Sequence, residues 1–146
     1  MTNTQIDTDV VRNKLNALAS SLSTLRTVGD VDAARLSDDP LVGAAVERLL
    51  SRVVDLAVDI NAHLAAGILR RSPGDYRESF DLAAEAGALS TDLVESLKPS
   101  VGLRNAIVHE YVQLDYTIVA AAVPLALASY AEYQRQIAAF VLDQTA

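Results

Sequence analysis

The sequence predicts an all-α protein, a bundle of four to five helices that run up and down. Apolar residues recur every three or four positions over long segments, which is the period of one face of an α-helix. No segment alternates apolar and polar residues as a half-buried strand does. Hydrophobic residues make up 51% of the 146 residues, with Ala and Leu dominating, so close helix packing within one domain over residues 1–146 is expected.

Two long helices are predicted in the N-terminal half. The first covers about residues 8–27. A polar connection follows and ends at Asp39 and Pro40, which suit an N-cap and the first helical position. The second helix runs from there to about Leu69, and its wide apolar arc implies burial against two neighbours or across a subunit interface.

A break at residues 70–75 separates these helices from a short third one. Asp75 and Glu78 have the spacing of a capping box, and Gly87 is the expected end of this helix. Ser90 is the expected N-cap of the fourth helix.

The fourth and fifth helices each contain a proline. The fourth is predicted over about residues 91–111, and Pro99 is expected to bend or interrupt it near Glu95, because proline lacks the N–H that would bond there. The fifth is predicted over about residues 116–142, with a second kink at Pro124. Its expected core residues are Ile118, Val119, Val123, Leu127, Tyr130, Ile137, Phe140 and Val141.

Composition and charge exclude several classes of function. The chain has no Cys, which excludes disulfides, thiolate nucleophiles and zinc sites built on Cys. A formal net charge of −7 argues against broad, non-specific binding of nucleic acid, so any RNA site must be local. The cations that could supply it are Arg48, Arg52, Arg70, Arg71, Arg77, Lys98 and Arg104.

No targeting, membrane or metal signal is found. The longest uncharged run, residues 116–131, contains Pro124 and falls short of the roughly 20 apolar residues that a membrane span requires. A soluble cytoplasmic protein is therefore expected. Glu47, Asp55 and Asp59 lie on one predicted helix, but no further ligand follows at a recognised spacing, so we expect no metal site.

The chemistry is concentrated in the run from Arg104 to Tyr111. On an ideal helix Arg104 and Tyr111 lie about 20° apart, whereas His109 lies about 140° from Arg104 and about 40° from Asn105. Arg104 and His109 therefore occupy different faces, and one chain would not easily bring both to one phosphate. Two copies related by a two-fold axis would pool them in one cleft, which predicts a homodimer.

An Arg, a His and an Asn in this arrangement suit RNA cleavage without a metal ion, in which the 2′-hydroxyl attacks the adjacent phosphate. Histidine exchanges protons near neutral pH, and a guanidinium stabilises developing phosphorane charge through paired hydrogen bonds. Asn105 is placed to orient either the histidine or the scissile phosphate.

These residues carry a resemblance to a known family. Arg-x4-His is similar to the defining motif of the HEPN superfamily, and the extended form Arg104-x4-His109-x-Tyr111 resembles the HepT toxins, with the motif region at 98–116 and no clear departure from the pattern. The likeness covers roughly residues 40–142. Further similar segments are Asp75–Phe80, Gly102–Tyr111, Asp115, and the pair Asp59 and His63.

The resemblance implies a fold, an activity and a partner. It implies a dimeric HEPN-type bundle, the toxin of a type VII HEPN/MNT toxin–antitoxin pair, which cleaves RNA such as tRNA or mRNA without metal or cofactor through Arg104 and His109. It also implies an MntA-type minimal nucleotidyltransferase antitoxin, which consumes ATP to attach AMP to Tyr111. The residues that it implies in supporting roles are Asn105, Asp59 and His63.

Other interpretations stay open. HEPN-like bundles also serve as non-catalytic nucleotide-binding or scaffold partners of nucleotidyltransferases, and a purely structural helical dimer is a third option. Asp59 and His63 have the spacing of an ordinary pair on a helix surface, and Tyr111 has the character of a helix-end anchor. Arg70 and Arg71 suit the end of a helix dipole as well as an RNA site.

Overall fold

The computed structural model describes residues 6–109 and 113–145, and over these residues the chain forms helices and no strand, so the all-α prediction is confirmed. The helix α3 is central, because it packs against each of the other α-helices of the described residues. None of these helices combines the length and the apolar character needed to cross a membrane. The elements are α1 (Thr8–Val28), α2 (Ala33–Asp38), α3 (Pro40–Leu64) followed by a π-helical turn (Ala65–Leu69), α4 (Tyr76–Glu85), α5 (Thr91–Val108) and α6 (Tyr116–Thr145).

The helix α2 replaces part of the predicted polar connection. The Asp32 side chain accepts a hydrogen bond from the Arg35 N–H (2.8 Å), and Leu36 is buried, with 2% of its surface exposed. The helix can cross closely over α3 because residue 43 is glycine: a Cβ there would lie 2.6 Å from the carbonyl oxygen of Leu36. A single buried leucine does not produce the repeated apolar spacing by which a helix is recognised, so this helix could not be predicted from the sequence.

The predicted caps are present, with one change. Asp39 caps α3, with Pro40 as its first residue, and Ser90 caps α5. Asp75 caps α4 by accepting the Glu78 N–H (2.7 Å). The Glu78 carboxylate accepts from the Gly74 N–H (2.9 Å), one residue before the donor that a capping box uses.

Two expectations about the last helices need correction. The helix α5 runs through Pro99 without interruption, because buried residues on both sides of the proline, Leu97 and Val101, hold its two halves in the core, and a bend there stays a prediction. Ile118, predicted to be in the core, is 59% exposed. Of the other predicted core residues of α6, Leu127 and Phe140 are partly buried and the remaining five are buried.

A chain of buried hydrogen bonds connects α6, α3 and α4. The fully buried Tyr133 hydroxyl donates to Asn61 Oδ1 (2.7 Å), and Asn61 Nδ2 donates to Ser79 Oγ (3.2 Å). Ser79 Oγ in turn donates to the carbonyl oxygen of Tyr76 (2.7 Å). Burial raises the pKa of the Tyr133 phenol well above its ordinary value, which keeps the phenol a donor. These bonds fix where α4 begins relative to α3.

Candidate active site

Arg104, on α5, is held by residues of two other helices. Its Nε donates to Asp55 Oδ1 on α3 (2.8 Å), and its side chain is 22% exposed. Its guanidinium carbon lies 4.6 Å from the centre of the Tyr76 ring, at the start of α4. A cation over an aromatic face is attracted by the ring quadrupole, so this contact adds to the ion pair.

Tyr76 also binds the carboxylate that holds Arg104. Its hydroxyl donates to the same oxygen, Asp55 Oδ1, at 3.1 Å. Burial and the neighbouring charge of Asp55 raise the pKa of the Tyr76 phenol above its ordinary value, while the Arg104 charge lowers it. We call these three residues, Asp55, Tyr76 and Arg104, the arginine clamp.

The arginine clamp binds the guanidinium by hydrogen bonding only at its Nε edge. Asp55 takes the Nε–H, and Nη1 makes only a long contact of 3.4 Å with Asn105 Oδ1. Among the residues that the structure describes, Nη2 has no hydrogen-bond partner. The two terminal nitrogens can therefore receive a phosphate in the bidentate geometry that arginine favours.

His109 stands just beyond the end of α5. The helix ends at Val108 rather than at the predicted residue 111, and His109 has an extended backbone (φ −88°, ψ 98°). Its N–H donates to the carbonyl oxygen of Asn105 (3.2 Å), so these two exposed residues are neighbours at the helix end. The ideal-helix angles therefore do not apply to His109. Tyr111 lies outside the described residues, and its place beside Arg104 stays a prediction.

Asp59 and His63, the other predicted supporting residues, contact α1 instead of Arg104 or each other. Asp59 forms an ion pair with Lys14 (3.3 Å). His63 Nε2 accepts the Asp7 N–H (2.9 Å), which requires that this ring nitrogen carries no proton. The charge of Asp59 makes only a small contribution to the raised pKa of Tyr76. These contacts attach α1 to α3, and a supporting role for Asp59 and His63 stays a prediction.

Asp55 and Tyr76 are the parts of this site that sequence reasoning missed. From the sequence, Asp55 is a candidate only for a metal ligand, and Tyr76 belongs only to a segment that resembles the HepT toxins. The sequence carries no clear signal for Asp55, because on an ideal helix it lies about 180° from Val46, opposite the apolar arc. The described residues hold no group of three or more His, Cys, Asp or Glu side chains placed to bind a metal ion.

An apolar groove of about 280 Å³ borders the arginine clamp between α3, α5 and α6. Arg104 lines one part of it, beside Leu50 and Val54 of α3. The α6 side carries Ile118 and Leu125, which are 59% and 68% exposed. The open guanidinium therefore lies where a polar site meets an apolar surface.

The family model described as ribonuclease HepT-like matches residues 10–137. The chain belongs to the HepT-like family. This HepT-like chain is similar to the tRNA nuclease HepT of Aphanizomenon flos-aquae, with 29% identity over 143 residues that cover 95% of each protein. It is also similar to the mRNA nuclease HepT of Shewanella oneidensis, with 29% identity over 76% of this chain and 83% of the relative.

Solved structures of other proteins have the same fold. A tri-AMPylated HEPN toxin of Shewanella oneidensis, in complex with its MNT antitoxin, aligns with a TM-score of 0.80 and 27% identity, over 90% of this chain and 98% of that one. A cytosolic protein of unknown function from Bacillus subtilis aligns with a TM-score of 0.81 over 95% of this chain and 93% of its own, at 14% identity, which supports the fold alone.

The arginine clamp predicts how the Tyr76 phenol responds to substitution. Asp55→Asn removes the negative charge that raises the pKa of Tyr76, so this pKa should fall relative to the unsubstituted protein. The measurement is a pH titration by NMR with tyrosine labelled at Cζ, and Tyr76→Phe identifies the signal. The control is Asp81→Asn, which breaks an ion pair with Lys98 of the same 2.8 Å length away from Tyr76. An unchanged Tyr76 titration in Asp55→Asn would contradict the clamp.

Proposed function

We propose that this chain is the toxin of a type VII HEPN/MNT toxin–antitoxin pair and a metal-independent endoribonuclease, with Arg104 and His109 as its catalytic residues. The observation that carries the proposal is the arginine clamp, which fixes Arg104 through Nε. Among the described residues Nη2 has no hydrogen-bond partner, and Nη1 has one long contact with Asn105, whose carbonyl oxygen accepts the His109 N–H at the helix end. Membership of the HepT-like family and the two nuclease relatives support this activity, with tRNA or mRNA as the substrate class.

The proposed reaction is an internal transfer at phosphorus. The 2′-oxygen of a ribose loses its proton to a base and forms a bond to the adjacent phosphorus, while the bond to the 5′-oxygen breaks and that oxygen receives a proton. His109 serves this proton transfer, since imidazole exchanges protons near neutral pH. Arg104 stabilises the charge that develops on the phosphorane oxygens. The products carry a 2′,3′-cyclic phosphate and a 5′-hydroxyl.

We further propose that the working enzyme is a homodimer that covers the apolar groove. Exposed Ile118 and Leu125 give this surface the apolar character of a subunit interface. Because Arg104 lines the same groove, a second copy seated there brings its own Arg104 and His109 next to the first pair. The self-complementary contact of a two-fold dimer suits this arrangement.

Control by the antitoxin is the last part of the proposal. A nucleotidyltransferase partner uses ATP to attach AMP to Tyr111, seven residues after Arg104. The added phosphate would compete with RNA for the open guanidinium, because both ligands are phosphodiesters. The AMPylated HEPN toxin that shares this fold supports the mechanism, and the chain itself then needs no cofactor.

Loss of either catalytic side chain should abolish most of the activity. With a metal chelator present, we expect the purified protein to cleave tRNA or mRNA, and His109→Ala and Arg104→Ala to slow cleavage about 10²- to 10⁴-fold. The measurement is the single-turnover rate on end-labelled RNA, with Arg12→Ala on α1 as the control. Undiminished cleavage by His109→Ala contradicts the assignment. No cleavage by the unsubstituted protein, together with calorimetric binding of AMP, would favour a non-catalytic nucleotide-binding partner.

The dimer proposal has a matched test on α6. Leu125 and Leu142 are 68% and 67% exposed, but only Leu125 lines the groove. Leu125→Glu should yield a monomer and reduce cleavage, since it places a charge in the apolar interface, whereas Leu142→Glu should change neither. Sedimentation velocity gives the mass of each variant. Equal masses for the two variants would contradict the proposed interface.

A further inference from the structure

The proposed site carries little net positive charge with which to bind RNA. The chain carries a formal net charge of −7, and Asp55 balances the charge of Arg104 at 2.8 Å. An RNA strand carries one negative charge per nucleotide and is bound mainly through cations on its phosphates. A site whose single arginine is already paired offers little net attraction, so another cation should lie beside it.

The structure shows which of the candidate cations are already in ion pairs. Arg71 is paired with Glu85 (2.7 Å) and Lys98 with Asp81 (2.8 Å), so their charges are largely compensated. Four others form no ion pair with the described residues, and these are Arg48, Arg52, Arg70 and Arg77. Of these four, Arg77 lies against α5, the helix that carries Arg104.

The Arg77 guanidinium lies close to α5 at Gly102. A Cβ on Gly102 would lie 3.1 Å from Arg77 Nη2, which is closer than nearly all real Cβ contacts. The Arg77 guanidinium therefore rests on the helix surface. Arg77 also lines a depression with Asn105 and Tyr76, the residues that contact Arg104.

The two guanidinium groups therefore stand on either side of Asn105. Around the axis of α5, Gly102 lies about 60° from Asn105 in one direction, and Arg104 lies about 100° from it in the other. Asp75 also lines the depression, but its Oδ1 already accepts the Glu78 N–H as the cap of α4. The helix dipole partly offsets this carboxylate charge.

We propose that Arg77 is a second phosphate-binding residue, which holds the RNA phosphate next to the one that Arg104 receives. The inference rests on the proposed ribonuclease function. The ligand is the RNA backbone, not a base, because the open groups are guanidinium nitrogens suited to phosphodiester oxygens. A contact to a phosphate that does not react stabilises the ground state and the transition state equally, so it lowers KM without changing kcat.

The experiment measures kcat and KM on a tRNA transcript with a chelator present, over a range of salt concentrations. Arg77→Gln should raise KM about tenfold and leave kcat within about twofold. The slope of log KM against log salt should become shallower by about 0.7, the value for one phosphate contact on a single strand.

Arg12→Gln is the matched control, since it removes the same charge from an exposed arginine. Arg12 lies beside Val141 on α6, about 30 Å along that helix from Ala121 at the groove. Arg77→Lys is a second variant, which keeps the positive charge, and it should retain the salt slope of the unsubstituted protein. Because residue 77 is exposed, neither substitution is expected to disturb the fold.

The outcomes separate this inference from the proposed function. If the unsubstituted protein cleaves the transcript but Arg77→Gln and Arg12→Gln have equal KM and salt slopes, the inference is wrong and the ribonuclease proposal stands. A fall in kcat at unchanged KM would also overturn it, because Arg77 would then act on the reacting phosphate. If the unsubstituted protein cleaves no RNA, the proposed function fails first.

Discussion

The position of the candidate site depends on the buried hydrogen bonds that join α6, α3 and α4. Tyr133, Asn61 and Ser79 lie in the core and satisfy one another, ending at the backbone of Tyr76. A buried polar group left without a partner costs about 1–3 kcal/mol, so α4 cannot slide along α3 without losing the buried bond between Asn61 and Ser79 at that cost. The Tyr76 ring is thereby fixed beside Asp55, and together they form the surface on which Arg104 rests.

The two edges of the Arg104 guanidinium therefore have different roles. The Nε edge binds Asp55, and the terminal nitrogens make only one long contact with the described residues, from Nη1 to Asn105. An arginine fixed in this way loses little entropy when it binds a phosphate, which is the preorganisation that electrostatic catalysis requires. Its cost is the loss of net positive charge at the site. We propose that Arg77 restores positive charge at the site, since its guanidinium lies close to the same helix at Gly102, on the other side of Asn105.

Much of the fold could be predicted from the sequence, and the failures have physical reasons. The starts of α3, α4 and α5 were predictable because Asp39, Asp75 and Ser90 cap locally. Arg104 and His109 could be named from their spacing, but Asp55 could not be paired with Arg104, since 49 residues separate them and only tertiary packing unites them. The end of α5 at Val108 was missed because no glycine or proline follows it.

The central claim is that RNA is cleaved by attack of its own 2′-hydroxyl, assisted by Arg104 and His109. The most direct measurement compares an RNA that the protein cleaves with the same RNA carrying a 2′-deoxy sugar at the cleaved position, with analysis of the product ends by mass spectrometry. The account predicts a 2′,3′-cyclic phosphate and a 5′-hydroxyl from the RNA, and no cleavage at the deoxy position. Cleavage of the deoxy substrate, or products with a 3′-hydroxyl and a 5′-phosphate, would contradict it.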